Sequence, residues 1–486
     1  MMMVDPAFRS AVDLAAEIRA KRIGCRELLD HYLGRVERFN PQINAIIVTQ
    51  LDVAKRRADE ADAALARGEL WGPLHGVPMT VKESFDVAGL PTTWGLPEFK
   101  DSKAPTNALA VERMLGAGAV VFGKTNVPVL LADAQAYNPI YGSTNNPWDL
   151  SRSPGGSSGG AAAALAAGLT GLEIGSDIAS SIRNPAHFSG VYGHKPTWGV
   201  CPPLGHALAG AVTPTDISAI GPLARSSRDL ALAMSILAGP DEIESAGWRL
   251  ELPQPRKKQL ADYKIAVMLS DPVSEVDQSV QDEIQRLADF LAKAGATVDD
   301  RARPALDSAE VDKLYMLMLR AASSGRISPE ALRQQREEVH ALALDDESYR
   351  ARMLRANTIS HVEWHGLNER RNQMRWAWHE FFKDYDLLLA PPYNTPALPH
   401  DQEGERWQRM ITVNGKTVPA TTHMFWAGYT CAFYLPSTVP PIGLSPEGLP
   451  IGVQIVGPQY GDLICIEFAR LLEEQYRAFV PPPGYA

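Results

Sequence analysis

With 486 residues, 45% hydrophobic and 21% charged, the chain has the composition of an ordinary soluble globular protein, which excludes collagen-like, coiled-coil and disordered readings. Its 47 basic and 57 acidic residues leave a net charge of −10, which repels a phosphate backbone and an anionic membrane surface alike, so neither nucleic acid nor membrane is an expected partner. Cys25, Cys201, Cys431 and Cys465 are too scattered for a disulfide framework or a CxxC metal site, and a reducing cytoplasm is the expected compartment. Asp5 and Arg9 stand where a secretory signal needs an apolar run, so export is not expected. Two stretches without formal charge, Ser153 to Leu172 and Thr417 to Pro446, carry too many Gly and Pro residues to cross a bilayer.

In chain order, apolar residues at three- and four-residue spacing predict helices over Ala11 to Ala20, Cys25 to Phe39 and Leu51 to Gly68. Gly76 to Lys82 reads as a strand, Ala108 to Gly116 as a helix and Ala119 to Phe122 as a short apolar strand. Ala161 to Gly168 is a small-residue helix, Gly171 to Gly175 a strand and Asp229 to Leu237 a helix. Further strands are expected at Lys264 to Leu269, Asp386 to Ala390 and Ile451 to Val456, with helices at Ser279 to Ala294 and Leu463 to Tyr476. The alternation predicts an α/β fold, a central sheet flanked by helices. Residues 308–383 are almost all helix formers and read as a helical insertion over the core that shapes the substrate pocket. No linker or internal repeat divides the chain, so residues 1–486 are expected to form one domain with its core at about 70–240.

Two motif matches fail on context. Gly118 to Thr125 satisfies the P-loop expression, but a helix precedes Gly118 and the residues between the glycines are themselves a strand. Gly155-Gly-Ser157-Ser-Gly159 satisfies the nucleophile-elbow expression, which must follow a strand directly, whereas Ser143 to Pro154 are turn and loop formers. An esterase built on Ser157 stays open as an alternative, because histidines such as His187, His194 and His206 are available for a triad. Closely spaced His and Cys ligands are missing, so neither a metal nor a cofactor is expected.

What remains is a stretch dense in serine and glycine from Gly155 to Thr197, with Lys82 upstream on a largely apolar strand. Gly155, Gly156, Gly159 and Gly160 allow tight turns and close approach to a ligand. The helix that follows points its positive end toward Ser157 and Ser158, where developing negative charge is favoured.

Gly155-Gly-Ser-Ser-Gly-Gly160, Gly175-Ser-Asp-Ile-Ala-Ser-Ser-Ile-Arg183, Pro185-Ala186 and Gly193-His-Lys-Pro-Thr197 together resemble the amidase signature family. Flanking matches include Gly76 to Glu83, Gly123 to Asn126, Asn146-Pro-Trp148, Gly221 to Arg225 and Gly448 to Gln454; residues 242–380 match weakly. The resemblance implies a Ser-cisSer-Lys triad, with Ser181 as nucleophile, Ser157 as bridging serine and Lys82 as base. It also implies an oxyanion hole from the backbone N–H groups of Ile178, Ala179, Ser180 and Ser181. The family usually carries Gly-Gly before its nucleophile; here the pair is Ala179-Ser180, and two Cβ atoms crowd a segment meant to approach the substrate.

A serine nucleophile splits amide hydrolysis into acylation and deacylation, and lysine can act as its base only when neutral. At an ordinary pKa, about one lysine in 2,500 is neutral at pH 7, so deep burial has to disfavour the ammonium. Val77, Met79 and Val81 alternate opposite Lys82, as a buried strand requires. Asp177 and Arg183 are expected to pin the nucleophile loop, and His187 and His194 to be structural. Leu317, Trp426, Tyr429 and Phe433 are candidate pocket residues; they suggest a neutral aryl or apolar amide, anilide or carbamate as substrate. Two alternatives remain beside the esterase: a subunit of a tRNA-dependent amidotransferase complex, disfavoured because Asn126-Val-Pro-Val129 lacks an acid, and a non-catalytic binding protein. The oligomeric state stays open, a homo-oligomer included.

Overall fold

A computed structural model describes residues 5–486; Met1 to Val4, the start of the stretch read for export, lie outside the described residues. An eight-stranded mixed sheet forms the centre, in the order 297–299, 264–267, 387–390, 454–456, 437–439, 192–195, 219–224, 173–177. Its first three strands run parallel and the remaining pairings are antiparallel. The architecture is thus α/β with a mixed sheet flanked by helices.

Lys82 does not belong to that sheet. Its strand, Pro78–Lys82, pairs in parallel with Val120–Thr125, which pairs antiparallel with Ile46–Thr49. This smaller sheet abuts the edge strand Glu173–Asp177 of the large one: the Thr80 hydroxyl donates to Glu173, and Thr80 N–H donates to Thr170 Oγ1 at 2.9 Å. The junction between the sheets is therefore polar at its centre and dry around it, with Met79, Val81 and Ile174 buried. Lysine at the end of one strand and serines at the end of the other face each other across it.

Helix Gly159–Ala166, buried along its whole length, fills the space behind the junction. Its small side chains are a packing requirement. A Cβ on Gly160 would stand 2.3 Å from Asn126 N, and one on Gly156 would stand 2.5 Å from Asp133 O. Lys124 is buried in its strand, with Nζ donating to Pro91 O and, at 3.0 Å, to Thr92 Oγ1, so the P-loop expression marks a strand end.

Residues 308–384 form four helices, Ser308–Ser323, Pro329–Ala341, Tyr349–Asn357 and His361–Asp384. The first carries Val311, Leu314, Tyr315 and Met318 into a second hydrophobic core with Trp378 and the helix Met424–Cys431. Four sheet strands escape the sequence pattern. Tyr192–Lys195 and Ala219–Ala224 contain Gly193 and the pair Gly221-Pro222, and Ser437–Val439 is only three residues long, so none shows a two-residue alternation. Residues 451–456 divide, Pro450–Gly452 joining a hairpin and Gln454–Val456 the large sheet, while Thr297–Asp299 is too short to read.

The junction's close packing gives a stability prediction. Gly160→Ala is expected to lose about 1–3 kcal/mol through overpacking against Asn126. Gly34→Ala, in an exposed helical position with nothing within 4 Å of the new Cβ, is expected to gain about 0.5–1 kcal/mol. Urea midpoints of the two variants against the parent measure both.

Candidate active site

Lys82 is fully buried, and Nζ lies 2.7 Å from Ser157 Oγ, 3.0 Å from Ser176 Oγ and 3.4 Å from the Ser176 carbonyl oxygen. Desolvation pushes its pKa down to about 7, against opposing pulls from Asp177 and Glu173 and with help from the Arg326 guanidinium. Both opposing carboxyls are subdued. Burial pushes Glu173 up to about 8, so near pH 7 it is largely a neutral acid. Burial also opposes ionisation of Asp177, but Arg183 overrides it and holds the carboxyl at about 2, so that negative charge is spent on a guanidinium 2.9 Å away.

Ser157 follows a cis Gly156–Ser157 peptide bond and is 1% exposed. No strand leads into it, since residues 153–158 form loop and bend among the described residues, and the elbow geometry is not present. Ser158 N–H donates to the Ser181 carbonyl at 3.1 Å, which ties the two serine segments side by side.

Asp177 organises the loop that carries Ser181. Its carboxylate accepts N–H bonds from Ser180 at 2.9 Å, Ile182 at 3.0 Å and Arg183 at 3.3 Å. Arg183 extends the clamp outward, donating to Thr430 Oγ1 at 2.6 Å and to the Gln454 side chain. This corrects one expectation: the Ser180 amide is committed to Asp177 and cannot join an oxyanion hole. The amides of Ile178, Ala179 and Ser181 have no protein acceptor among the described residues. Tyr315 donates its hydroxyl to the Ile178 carbonyl at 3.0 Å; because the peptide is planar and trans, this turns Ala179 N–H the opposite way.

Ser180 takes a left-handed conformation, φ 72°, and donates its hydroxyl to the Pro392 carbonyl at 3.3 Å. Its side chain is thereby turned away from the site and fully buried. His187 and His194 are locked structurally: His187 Nδ1 accepts from Gly452 N–H at 2.8 Å, and His194 Nε2 meets Asp462 at 3.1 Å.

Ser181 opens onto a cavity of about 790 Å³, and Ile178 and Ala179 line it beside the nucleophile candidate. The expected pocket residues do not. Trp426, Tyr429 and Phe433 are buried in the second core, where Tyr429 and Phe433 meet the Trp378 ring at 5.0 and 6.2 Å, and Leu317 is likewise off the wall. The helix Met424–Cys431, which carries Trp426 and Tyr429, turns Ala427 and Thr430 to Arg183 and its aromatics to the core. The aromatic wall is made instead by Phe188 and Tyr393, 5.0 Å apart, with His423 stacked on Tyr393 at 4.5 Å. The insertion contributes Leu319, Arg320, Ser323, Arg326, Tyr349 and Met353.

The cavity wall also carries five arginines, Arg152, Arg320, Arg326, Arg406 and Arg409. Sequence reasoning missed Ser176, Glu173 and Arg326. Ser176 lay within the signature motif five residues before Ser181, whereas Arg326 sits in an irregular turn with no pattern to mark it. Among the described residues no group of three or more His, Cys, Asp or Glu side chains can hold a metal ion, and no helix is long and apolar enough to cross a membrane.

Comparison with known proteins agrees with this geometry. The Amidase family profile matches residues 27–466. An indoleacetamide hydrolase of Bradyrhizobium diazoefficiens is 33% identical over 96% of this chain and 86% of its own. A glutamyl-tRNA(Gln) amidotransferase subunit of Acidothermus cellulolyticus is 31% identical over 98% of this chain and 96% of its own. The crystal structure of a bacterial aryl acylamidase of the amidase signature family superposes with a TM-score of 0.79 at 26% identity, covering 97% of both chains. The chain belongs to the amidase signature family and is an amidohydrolase acting on C–N bonds other than peptide bonds.

Proposed function

We propose that the protein cleaves a small aryl or apolar amide through an acyl-enzyme formed on Ser181. The observation that carries this reading is the fully buried Lys82 amine 2.7 Å from Ser157 Oγ, behind a serine that opens onto a large cavity. Neutral Lys82 accepts the Ser157 proton while Ser157 accepts the Ser181 proton, so Ser181 Oγ attacks the amide carbonyl as an alkoxide equivalent. The amides of Ile178, Ala179 and Ser181 hold the oxyanion, and Ser157 returns the proton to the leaving amine. Water then repeats the relay to release the acid. Carbamates fit the same steps with a slower deacylation. The Phe188–Tyr393 wall supports an aryl substrate over an aliphatic one.

A second reading, in which the chain serves an amidotransferase complex and acts on glutamine, draws on the 31% identity to the Acidothermus protein. The two separate on substrate: kcat/KM for an anilide is expected to exceed that for glutamine by at least about 100-fold, near 2.7 kcal/mol. Equal rates, or copurification with partner subunits, would favour the amidotransferase.

Ser181→Ala is expected to lower kcat/KM at least about 1,000-fold with the fold intact, and Ser157→Ala by less, since water can partly replace the relay. A fluorophosphonate should label Ser181, as mass spectrometry of the tryptic peptides would read. A label on Ser157 instead would make Ser157 the nucleophile and overturn the role given to Ser181.

For pH, Lys82 takes up its proton as pH falls through about 7, and the protonated form cannot serve as base. The kcat/KM profile is therefore expected to rise with unit slope below about 7 and to level off above it. Lys82→Arg keeps the charge without a usable base and should be inactive across the range. A flat profile between pH 5 and about 9, or an active Lys82→Arg, would falsify the role given to Lys82.

A further inference from the structure

The cavity at Ser181 holds guanidinium groups that amide cleavage leaves unused. Arg326 closes the short turn Ser324–Arg326 after the first insertion helix, half-buried, with its Cζ 4.8 Å from the centroid of the buried Trp94 ring. Its Nη1 donates to the Leu130 carbonyl at 3.3 Å. The remaining N–H groups find no acceptor, and no carboxylate forms an ion pair with it, among the described residues. Desolvation depresses its pKa with no opposing acid. Arg320 donates to the Tyr349 hydroxyl, but its Nε is buried without a partner.

The carboxylates on the same wall are already engaged or out in solvent. Asp133 is held by Arg409 at 2.7 Å, Asp277 accepts Ser279 N–H at 3.0 Å to cap its helix, and Glu447 accepts the Ser445 hydroxyl at 2.7 Å. Asp401 and Glu405 are exposed. A guanidinium stacked on an indole keeps its plane fixed and offers a donor edge that matches a carboxylate with two parallel bonds. A half-buried cation lacking a counter-anion also gains most when one arrives.

We propose that the substrate carries a carboxylate, bound by Arg326 on its Trp94 shelf, while the amide carbonyl sits at Ser181 and the aryl part lies on Phe188 and Tyr393. This rests on the serine amidohydrolase reading above and replaces the neutral substrate expected from sequence. Arg326 and Ser181 line the same cavity, so one substrate can span both.

Binding to Ser181→Ala protein, read by isothermal titration calorimetry, tests it with two matched pairs. Succinanilic acid against butyranilide puts the carboxylate on the acyl side; 4-acetamidobenzoate against acetanilide puts it on the amine side. In one pair the carboxylate is expected to bind at least about tenfold tighter than its neutral partner, and adding Arg326→Gln should cut that ratio at least about tenfold. Equal binding within both pairs, or a preference that survives Arg326→Gln, would overturn the proposal. The paired comparison within Ser181→Ala decides alone if Arg326→Gln folds poorly. Anilide turnover by Ser181→Ala itself would sink the serine amidohydrolase reading instead, whatever the binding ratio.

Discussion

Keeping an amine out of water is the constraint on which the rest of this structure depends. Moving the Lys82 pKa from 10.5 to about 7 disfavours the ammonium by about 5 kcal/mol. Burial can do this only if nearby carboxyls do not undo it, and two lie close. Glu173 is subdued by its own burial between Thr80 and the strand around it; Asp177 is subdued by Arg183. Exposing Glu173 would return a negative charge to the neighbourhood of Lys82 and a proton to its amine, whereas losing Arg183 would leave burial to neutralise Asp177 and loosen the loop it anchors. The site is therefore an arrangement of four ionisable groups, of which only the Asp177–Arg183 pair stays fully charged near pH 7.

That pair also does mechanical work. One Asp177 carboxylate receives the amides of Ser180, Ile182 and Arg183 while the Arg183 side chain reaches Thr430 and Gln454. The nucleophile loop is thus fixed to a helix and a strand more than two hundred residues away in sequence. A buried ion pair is weak evidence for stability, because desolvation offsets much of its attraction. Here its consequence is positional: the amides of Ile178, Ala179 and Ser181 are left without protein acceptors beside the cavity.

How much of this was legible in the sequence depended on whether a residue's environment was local. Ser157 and Ser181 stand in short motifs of glycine and serine and Lys82 ends an alternating apolar strand, and the structure puts Lys82 against Ser157 and the Ser181 segment beside both. The strand of Lys82 read correctly from its alternation, although the sheet it joins did not. The pocket did not read at all. Trp426, Tyr429 and Phe433 show that an aromatic helix declares burial but not what buries it; its partner is Trp378 in the insertion. Much of the actual wall comes from irregular segments around 130–135 and 393–409, whose composition carries no periodicity, beside residues of the insertion helices. Ser180 was misjudged for a related reason, since its amide's fate is set by a carboxylate three residues back that backbone pattern alone does not orient.

The same residue explains how the chain tolerates losing the usual glycine pair. A non-glycine residue in the left-handed region costs about 1–2 kcal/mol, and Ser180 sits there at φ 72°. Its hydroxyl recovers a comparable amount, about 0.5–1.5 kcal/mol, from the bond to the Pro392 carbonyl. Alanine in this place would bear the cost without the bond, and a larger side chain would meet the fully buried surroundings. Serine is thus among the few replacements whose chemistry offsets its geometry. Ala179 faces the cavity instead, so its methyl narrows the approach to the free amides by one carbon.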